Sequence, residues 1–383
     1  MAKKSDLKLR SVMMHRKYKG KLATSCKVPL KSRADLSIWY TPGVAAVCEK
    51  IATDRDESFE LTNRGNTVAV VTDGSAVLGL GNIGAYAALP VMEGKCILFK
   101  RFAGLDAVPV CLDCQDPEKL VEMIAALEPN FAGINLEDIS SPRCFYIEEE
   151  LKKKLSIPVI HDDQHATAIV TLAAMINALK ITGRKRGDLR VVCSGAGAAG
   201  MTVMKLLLSY GIRRISAFDS RGPIYPGRKA NNPYLDEFSA SLECGYDSLS
   251  QALSGADAFI GLSAAGLVKP ADIRSMNRSS IVFAMANPVP EIMPEDAKSA
   301  GACIVASGRS DYPNQINNVL VFPGLFAGMI RTGTKKLTEK IKIRVAEQIA
   351  GLVPESRLSR GIVVPGVFNR RLVDSIRAGI EAA

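Results

Sequence analysis

Residues 189–222 read "LRVVCSGAGAAGMTVMKLLLSYGIRRISAFDSRG". The run at 189–193 predicts a buried strand. Gly195, Gly197 and Gly200 follow as G-x-G-x-x-G, a tight turn with room for a pyrophosphate at a helix N-terminus. Met201, Met204, Lys205 and Leu208 recur at three- and four-residue steps and are apolar but for the lysine, so a helix is expected until about Gly211. The next strand, "RISAF", ends in Asp219, 24 residues after Gly195. That is close to the spacing at which an acid hydrogen-bonds a ribose 2′-hydroxyl. Strand, glycine turn, helix, strand and acid in this order predict a dinucleotide site on Gly195, Ala196, Gly197, Ala198, Ala199, Gly200 and Asp219. The Asp219 carboxylate repels a 2′-phosphate and leans the reading to NAD. Arg221, two residues on, is placed to take that phosphate and keeps NADP open.

Further strands are expected in "GADAFIGLSAAG" (255–266), "SSIVFAMANPVPEI" (279–292) and "ACIVASG" (302–308). Their C-terminal ends should line the ligand crevice of a Rossmann-type, doubly wound parallel sheet, so the fold class is α/β. A second G-x-G-x-x-G, "GLGNIG" at 79–84, lacks this context. Pro90 leaves little room for a crossover helix, and "LFKR" offers bases where an acid should meet the ribose.

The chain has 383 residues, 47% of them hydrophobic, enough for two or three full-sized cores. No uninterrupted apolar run approaches the roughly 20 residues of a membrane span. The first residues lack the apolar core of a signal peptide and have a basic, acid-poor composition that transit peptides share. Nine cysteines, an odd number scattered over a large chain, suit reduced thiols and a cytoplasmic protein. Cys111 and Cys114 form one C-x-x-C without a second pair, and read as two ordinary buried thiols. The net charge of +10 resides in residues 1–33, with eleven Lys or Arg and one acid. The neutral body and the lack of aromatic–basic interleaving argue against a nucleic-acid binder. The basic arm reads as solvated or subunit-contacting, with polyanion binding as the alternative.

The stretch "IPVIHDDQHATA" (157–168) resembles the zinc signature H-E-x-x-H. That signature needs both histidines on one helix, a turn apart. Here a strand is expected to end at His161 and a helix to begin only at about Ala166, which argues against zinc. "PNFAGINLEDISSP" (129–142) likewise runs as a strand into Glu137-Asp138. The two acidic pairs, 137–138 and 162–163, are either turn residues and helix caps or an all-oxygen site suited to Mg²⁺ or Mn²⁺.

These stretches stand in a longer series. It begins with "KSRADLSIWYTPGVAAVCEKI", "VTDGSAVLGLGNIG", "VMEGKCILFKRFAGLDAVPV" and "INLEDISSPRCF". It continues with "IHDDQHATA", "GAGAAG", "DSRGPIYPGR", "ANPVPEI" and "NQINNVLVFPG". Covering most of the chain in this order, it resembles the malic enzyme family in its short prokaryotic-type form. The resemblance implies metal-dependent oxidative decarboxylation of L-malate to pyruvate and CO₂ with reduction of NAD(P). It puts the metal on Glu137, Asp138 and Asp163, the general base on Lys95, the general acid on Tyr40, and Asp162 beside the lysine. Asn287, Asn317 and Asn318 would hold malate, with Asn287 also near the cofactor.

Longer, animal-type members carry a substrate-binding arginine where this chain has Ala76. Neutralising the second malate carboxylate then falls to asparagines, to backbone N–H groups of "GLGNIG" or to another subunit. The nearest rival is malolactic chemistry, which yields lactate with bound NAD. We expect a substrate domain at 1–156 and a dinucleotide domain at 157–383, with 334–383 returning as helices across the cleft. A homodimer or higher homo-oligomer is expected, and no tandem acyl-transferase extension after 383.

Overall fold

Short runs of β-branched and aliphatic residues, each followed by a turn and a helix, build two parallel sheets. The computed structural model describes residues 2–77, 79–229 and 232–383, with side chains from residue 6 onward. The first sheet holds β1 (Thr67–Thr72), β2 (Asp106–Cys111), β3 (Gly133–Leu136) and β4 (Val159–His161) in the order β2-β1-β3-β4. Every residue of β1 is buried, as a parallel strand covered on both faces requires.

The second sheet contains β5 (Arg190–Ser194), β6 (Arg214–Asp219), β7 (Gly222–Pro223), β8 (Ala258–Gly261), β9 (Ile281–Ala284) and β10 (Ile304–Ser307). Its order is β10-β9-β8-β5-β6-β7, parallel except for the two-residue β7. The chain leaves β5 first to one side and then to the other, so a crevice opens beyond the C-terminal ends of β5 and β8. The helix after the glycine turn, Ala198–Tyr210, ends at Gly211 in a left-handed conformation, as expected.

The helix Asp162–Thr182 connects the first sheet to the second, with sixteen of its 21 residues buried. By length and composition it would cross a membrane, but 78% of its apolar window is covered by the rest of the protein. Its start corrects the expectation of a helix from Ala166. Asp162 and Asp163 form its first turn, where carboxylates favour the helix dipole. Pro90 is also corrected, because it lies inside the helix Gly84–Leu98 that connects β1 to β2. A proline there removes one backbone donor and crowds the carbonyl four residues back, and its own carbonyl accepts from Lys21 Nζ at 2.7 Å. The expected division at 156/157 cuts off β4, which pairs with β3, so the first sheet extends to His161.

Of the C-terminal helices, Glu339–Gly351 packs on the long helix, and Leu372–Glu381 packs on Glu339–Gly351 and on the helix Phe322–Thr332. A Cβ at Gly379 would lie 3.1 Å from the Val345 backbone, so glycine permits that close crossing. All nine cysteines are free, and Cys111 and Cys114 are half-buried rather than buried.

Asn177, fully buried in the long helix, donates to the carbonyls of Ala350 at 3.0 Å and Val363 at 2.9 Å. Asn177→Leu leaves both acceptors bare, and a loss of about 2–4 kcal/mol is expected in denaturant unfolding. A change under about 0.5 kcal/mol would show that these bonds do not anchor the C-terminal helices.

Candidate functional site

Parallel pairing of β3 and β4 sets Leu136 opposite His161. The next residues of each strand, Glu137-Asp138 and Asp162-Asp163, therefore emerge at one sheet edge. Glu137, Asp138 and Asp163 each offer an oxygen, all within 4.8 Å of one another. The backbone N–H of Asp138 donates to Asp163 Oδ2 at 3.0 Å. Asn135, fully buried, donates to Glu137 Oε2 at 3.0 Å.

Lys95 reaches this edge from the helix Gly84–Leu98. Its Nζ lies 2.8 Å from Glu137 Oε1 and 2.5 Å from Asp162 Oδ2, and 4.1 Å from the centre of the Phe322 ring. Asn318 donates to the same Asp162 oxygen. Burial would lower the Lys95 pKa, but Asp162, Glu137 and Asp163 outweigh it and hold the group well above the ordinary range. Burial pushes Glu137 and Asp162 upward, and Lys95 opposes the shift in each.

Four carboxylates thus face one ammonium. Two ionised carboxylates at such separations repel by about 3–4 kcal/mol at an effective dielectric near 20. Three such pairs rival the roughly 5–15 kcal/mol stability of a whole domain. The donor set is all oxygen and short of positive charge, so Glu137, Asp138 and Asp163 fit a hard divalent cation. The histidines do not join them. His165 Nε2 bonds Glu148 at 2.8 Å, and His161 Nδ1 lies 3.9 Å from Asp163.

The asparagines divide. Asn317 spends its side-chain oxygen on Val319 N–H at 2.9 Å, capping a short 3-10 turn, whereas Asn318 enters the cluster. Asn287 is exposed beyond β9, and a Cβ at Gly79 would lie 2.9 Å from its carbonyl oxygen. Ala76 N–H donates to the Asp138 carbonyl at 2.9 Å. The "GLGNIG" loop therefore lies between the acidic edge and Asn287. Tyr40 is not brought to Lys95 within this chain; it ends a short helix and is 65% exposed.

In the second sheet, a Cβ on Gly200 would lie 1.9 Å from the Gly195 carbonyl, and one on Gly195 would lie 2.5 Å from that of Leu262. Both glycines close the turn. Gly197, the N-cap, has open space where a Cβ would be and no side-chain cap, so the first N–H groups of the helix are left for a ligand or solvent. Buried Ala196 and half-buried Ala198 and Ala199 complete the turn. Asp219 accepts from Arg228 Nη2 at 2.5 and 2.6 Å and from Arg221 N–H at 2.8 Å.

Phe322, Arg228 and Glu148 were missed as contributors. Phe322 and Arg228 lie inside quoted motifs but carry no local signal. Glu148 did carry one, since it sits four residues after Cys144 and three before Leu151, on the buried stripe of its helix.

A dinucleotide crevice joined to a carboxylate–lysine centre defines a dinucleotide-dependent oxidoreductase of the α/β class. The family models "Malic enzyme, N-terminal domain" and "Malic enzyme, NAD binding domain" match residues 19–152 and 164–378. The NAD-dependent malic enzyme of Geobacillus stearothermophilus is 51% identical over 377 residues, 98% of this chain and 78% of that protein. The bifunctional malic/malolactic enzyme of Bacillus subtilis is 49% identical over 381 residues, covering 99% and 93%. An NADP-dependent malic enzyme of Escherichia coli is 43% identical over 95% of this chain and 50% of that protein. The crystal structure of an NAD-dependent malic enzyme from Thermotoga maritima superposes with a TM-score of 0.93 at 44% identity, covering 97% of this chain and 98% of that one. The chain belongs to the malic enzyme family.

Gly200→Ala forces a methyl group into the Gly195 carbonyl. Dinucleotide binding, followed by NADH fluorescence, should weaken at least about tenfold. Unchanged affinity would remove the cofactor from this turn.

Proposed function

We infer that the protein catalyses oxidative decarboxylation of L-malate: malate and NAD(P)⁺ give pyruvate, CO₂ and NAD(P)H. The observation that carries this is Lys95, buried between Glu137 and Asp162 at the edge where Asp138 and Asp163 also converge. Glu137, Asp138 and Asp163 would hold Mg²⁺ or Mn²⁺, which when bound supplies Lewis-acid stabilisation of charge developing on the C2 oxygen. Lys95 takes the C2 hydroxyl proton as it passes one of its own to Asp162, 2.5 Å away, so the buried ammonium keeps its charge through the step. Asn318 and Asn287 orient the substrate carboxylates. The glycine turn at 195–200 and Asp219 place the dinucleotide, which supplies the hydride acceptor. Tyr40 delivers a proton to C3 after CO₂ has left.

NAD is the cofactor we favour, because Asp219 ends β6, where an acid would meet the ribose 2′-hydroxyl and repel a 2′-phosphate. Arg228 neutralises that carboxylate and Arg221 stands beside it, so NADP is not strongly repelled. Arg228→Gln exposes the charge and should raise the NAD over NADP preference about tenfold, read as a ratio of kcat/KM values. An unchanged ratio would take Asp219 out of cofactor choice.

The active form is a homo-oligomer, and its compartment is the cytoplasm, in keeping with nine free thiols. No residue from 6 to 53 is buried in the single chain. Leu9, Met13, Tyr18, Ile38 and Trp39 are exposed with Tyr40. A second copy covers this surface and takes Tyr40 into its own site.

The first test supplies L-malate and Mn²⁺ with NAD or NADP, following nicotinamide reduction and pyruvate together. Stoichiometric formation of both is expected, and Lys95→Ala should lower kcat at least about 100-fold. Lactate without net reduction would move the assignment to malolactic chemistry. Co-refolded Tyr40→Phe and Lys95→Ala chains should regain about a quarter of wild-type activity if the residues act across a two-fold contact. No recovery would place them in one subunit.

A further inference from the structure

Glu148 is one of three consecutive glutamates on the helix Arg143–Lys154, yet it is only 4% exposed. Its carboxylate accepts from the backbone N–H of His161 at 2.9 Å and from His165 Nε2 at 2.8 and 3.0 Å. Lys152 Nζ lies 2.9 Å from the same group. None of these atoms belongs to the carboxylate–lysine centre.

The donors nevertheless bracket that centre. His161 ends β4 and is the N-cap of the helix Asp162–Thr182, with no side-chain cap of its own. His165 lies in the first turn after Asp162 and Asp163. At about 100° per residue, His165 and Asp163 fall on roughly opposite sides of that turn. A grip on His165 from one side therefore aims Asp163 to the other, where it meets the Asp138 N–H. The same grip fixes Asp162, the partner of Lys95 and Asn318.

We propose that Glu148 is a positioning residue for the reaction: through the His161 amide and the His165 ring it sets the rotation of the helix turn that carries Asp162 and Asp163. The inference rests on reading the carboxylate centre as a divalent-cation site. Burial would raise the Glu148 carboxyl, but His165, Lys152 and the His161 amide hold it below the ordinary range. A carboxylate can only accept, so the His165 ring carries a proton on Nε2, while its Nδ1 is buried without a hydrogen-bond partner.

A simple tie between helix and strand would affect stability alone, whereas a positioning role reaches the cation. The test uses full-length protein, with free Mn²⁺ measured by electron paramagnetic resonance and NADH binding by fluorescence. Glu148→Ala should weaken Mn²⁺ binding about 10–100-fold and lower kcat while NADH affinity holds. Glu148→Gln keeps an oxygen for the His161 amide and offers its NH₂ to the other His165 tautomer, so most Mn²⁺ affinity should return. Glu150→Gln, next along the helix, should change neither binding. Mn²⁺ affinity in Glu148→Ala within about twofold of wild type would overturn the proposal. Parallel loss of NADH binding would also overturn it, as the mark of a general folding defect. Should Glu148→Ala fail to fold, His165→Ala removes only the ring end of the grip, and undiminished Mn²⁺ affinity there would be equally decisive. Wild-type protein that binds no Mn²⁺ would refute the divalent-cation reading itself, and this inference with it.

Discussion

Four carboxylates crowd around one buried ammonium at the edge of the first sheet, and much of the molecule is arranged to tolerate that imbalance. The crowding follows from strand pairing, because β3 and β4 are adjacent and parallel and each is followed at once by an acidic pair. Removing such charges from water is expensive unless they are paired and hydrogen-bonded. The surroundings meet that requirement group by group. Asn135 takes one Glu137 oxygen, Asn318 and Lys95 take Asp162, and the Phe322 face supports the ammonium. Two of these supports come from the C-terminal half of the chain, so the centre is complete only when both sheets are in place.

The helix Asp162–Thr182 makes that union mechanical. It carries the second acidic pair at its start and is apolar around most of its circumference, so it must be covered on all sides. It packs against the helix of the glycine turn and against the C-terminal helix Glu339–Gly351. Thr202, on the glycine-turn helix, donates weakly to Gln164 at 3.4 Å. The sequence stretch that first suggests zinc therefore links the acidic edge physically to the dinucleotide crevice. Its histidines serve this packing, one as the N-cap and one bonded to Glu148.

Some of this was legible because its physics is local. A glycine is required at position 200 because a Cβ would strike the Gly195 carbonyl five residues back, and that pressure shows as a motif. The strands show as short apolar runs, and the acidic pairs show as polar breaks at their ends. The helix start at Asp162 was misread because carboxylates in a first turn and carboxylates in a loop look alike in one dimension. Pro90 was misread because a proline lowers helix propensity without forbidding a helix held by its neighbours. The odd case is Glu148, which lay on a buried stripe that periodicity could reveal, hidden among two glutamates of identical chemistry.

By itself the sequence determined the two α/β units, the dinucleotide turn, the acidic pairs and, through the order of its motifs, the family. These depend on spacing along the chain and on close approaches within a few residues. Only the tertiary structure decided which carboxylate faces Lys95, that Asn318 rather than Asn317 enters the cluster, and that Arg228 neutralises Asp219. Only it showed that Tyr40 is exposed in the single chain while Lys95 is buried. Each of these turns on the direction of a side chain relative to a partner tens or hundreds of residues away. That direction is set by sheet order and helix packing, which no local pattern encodes.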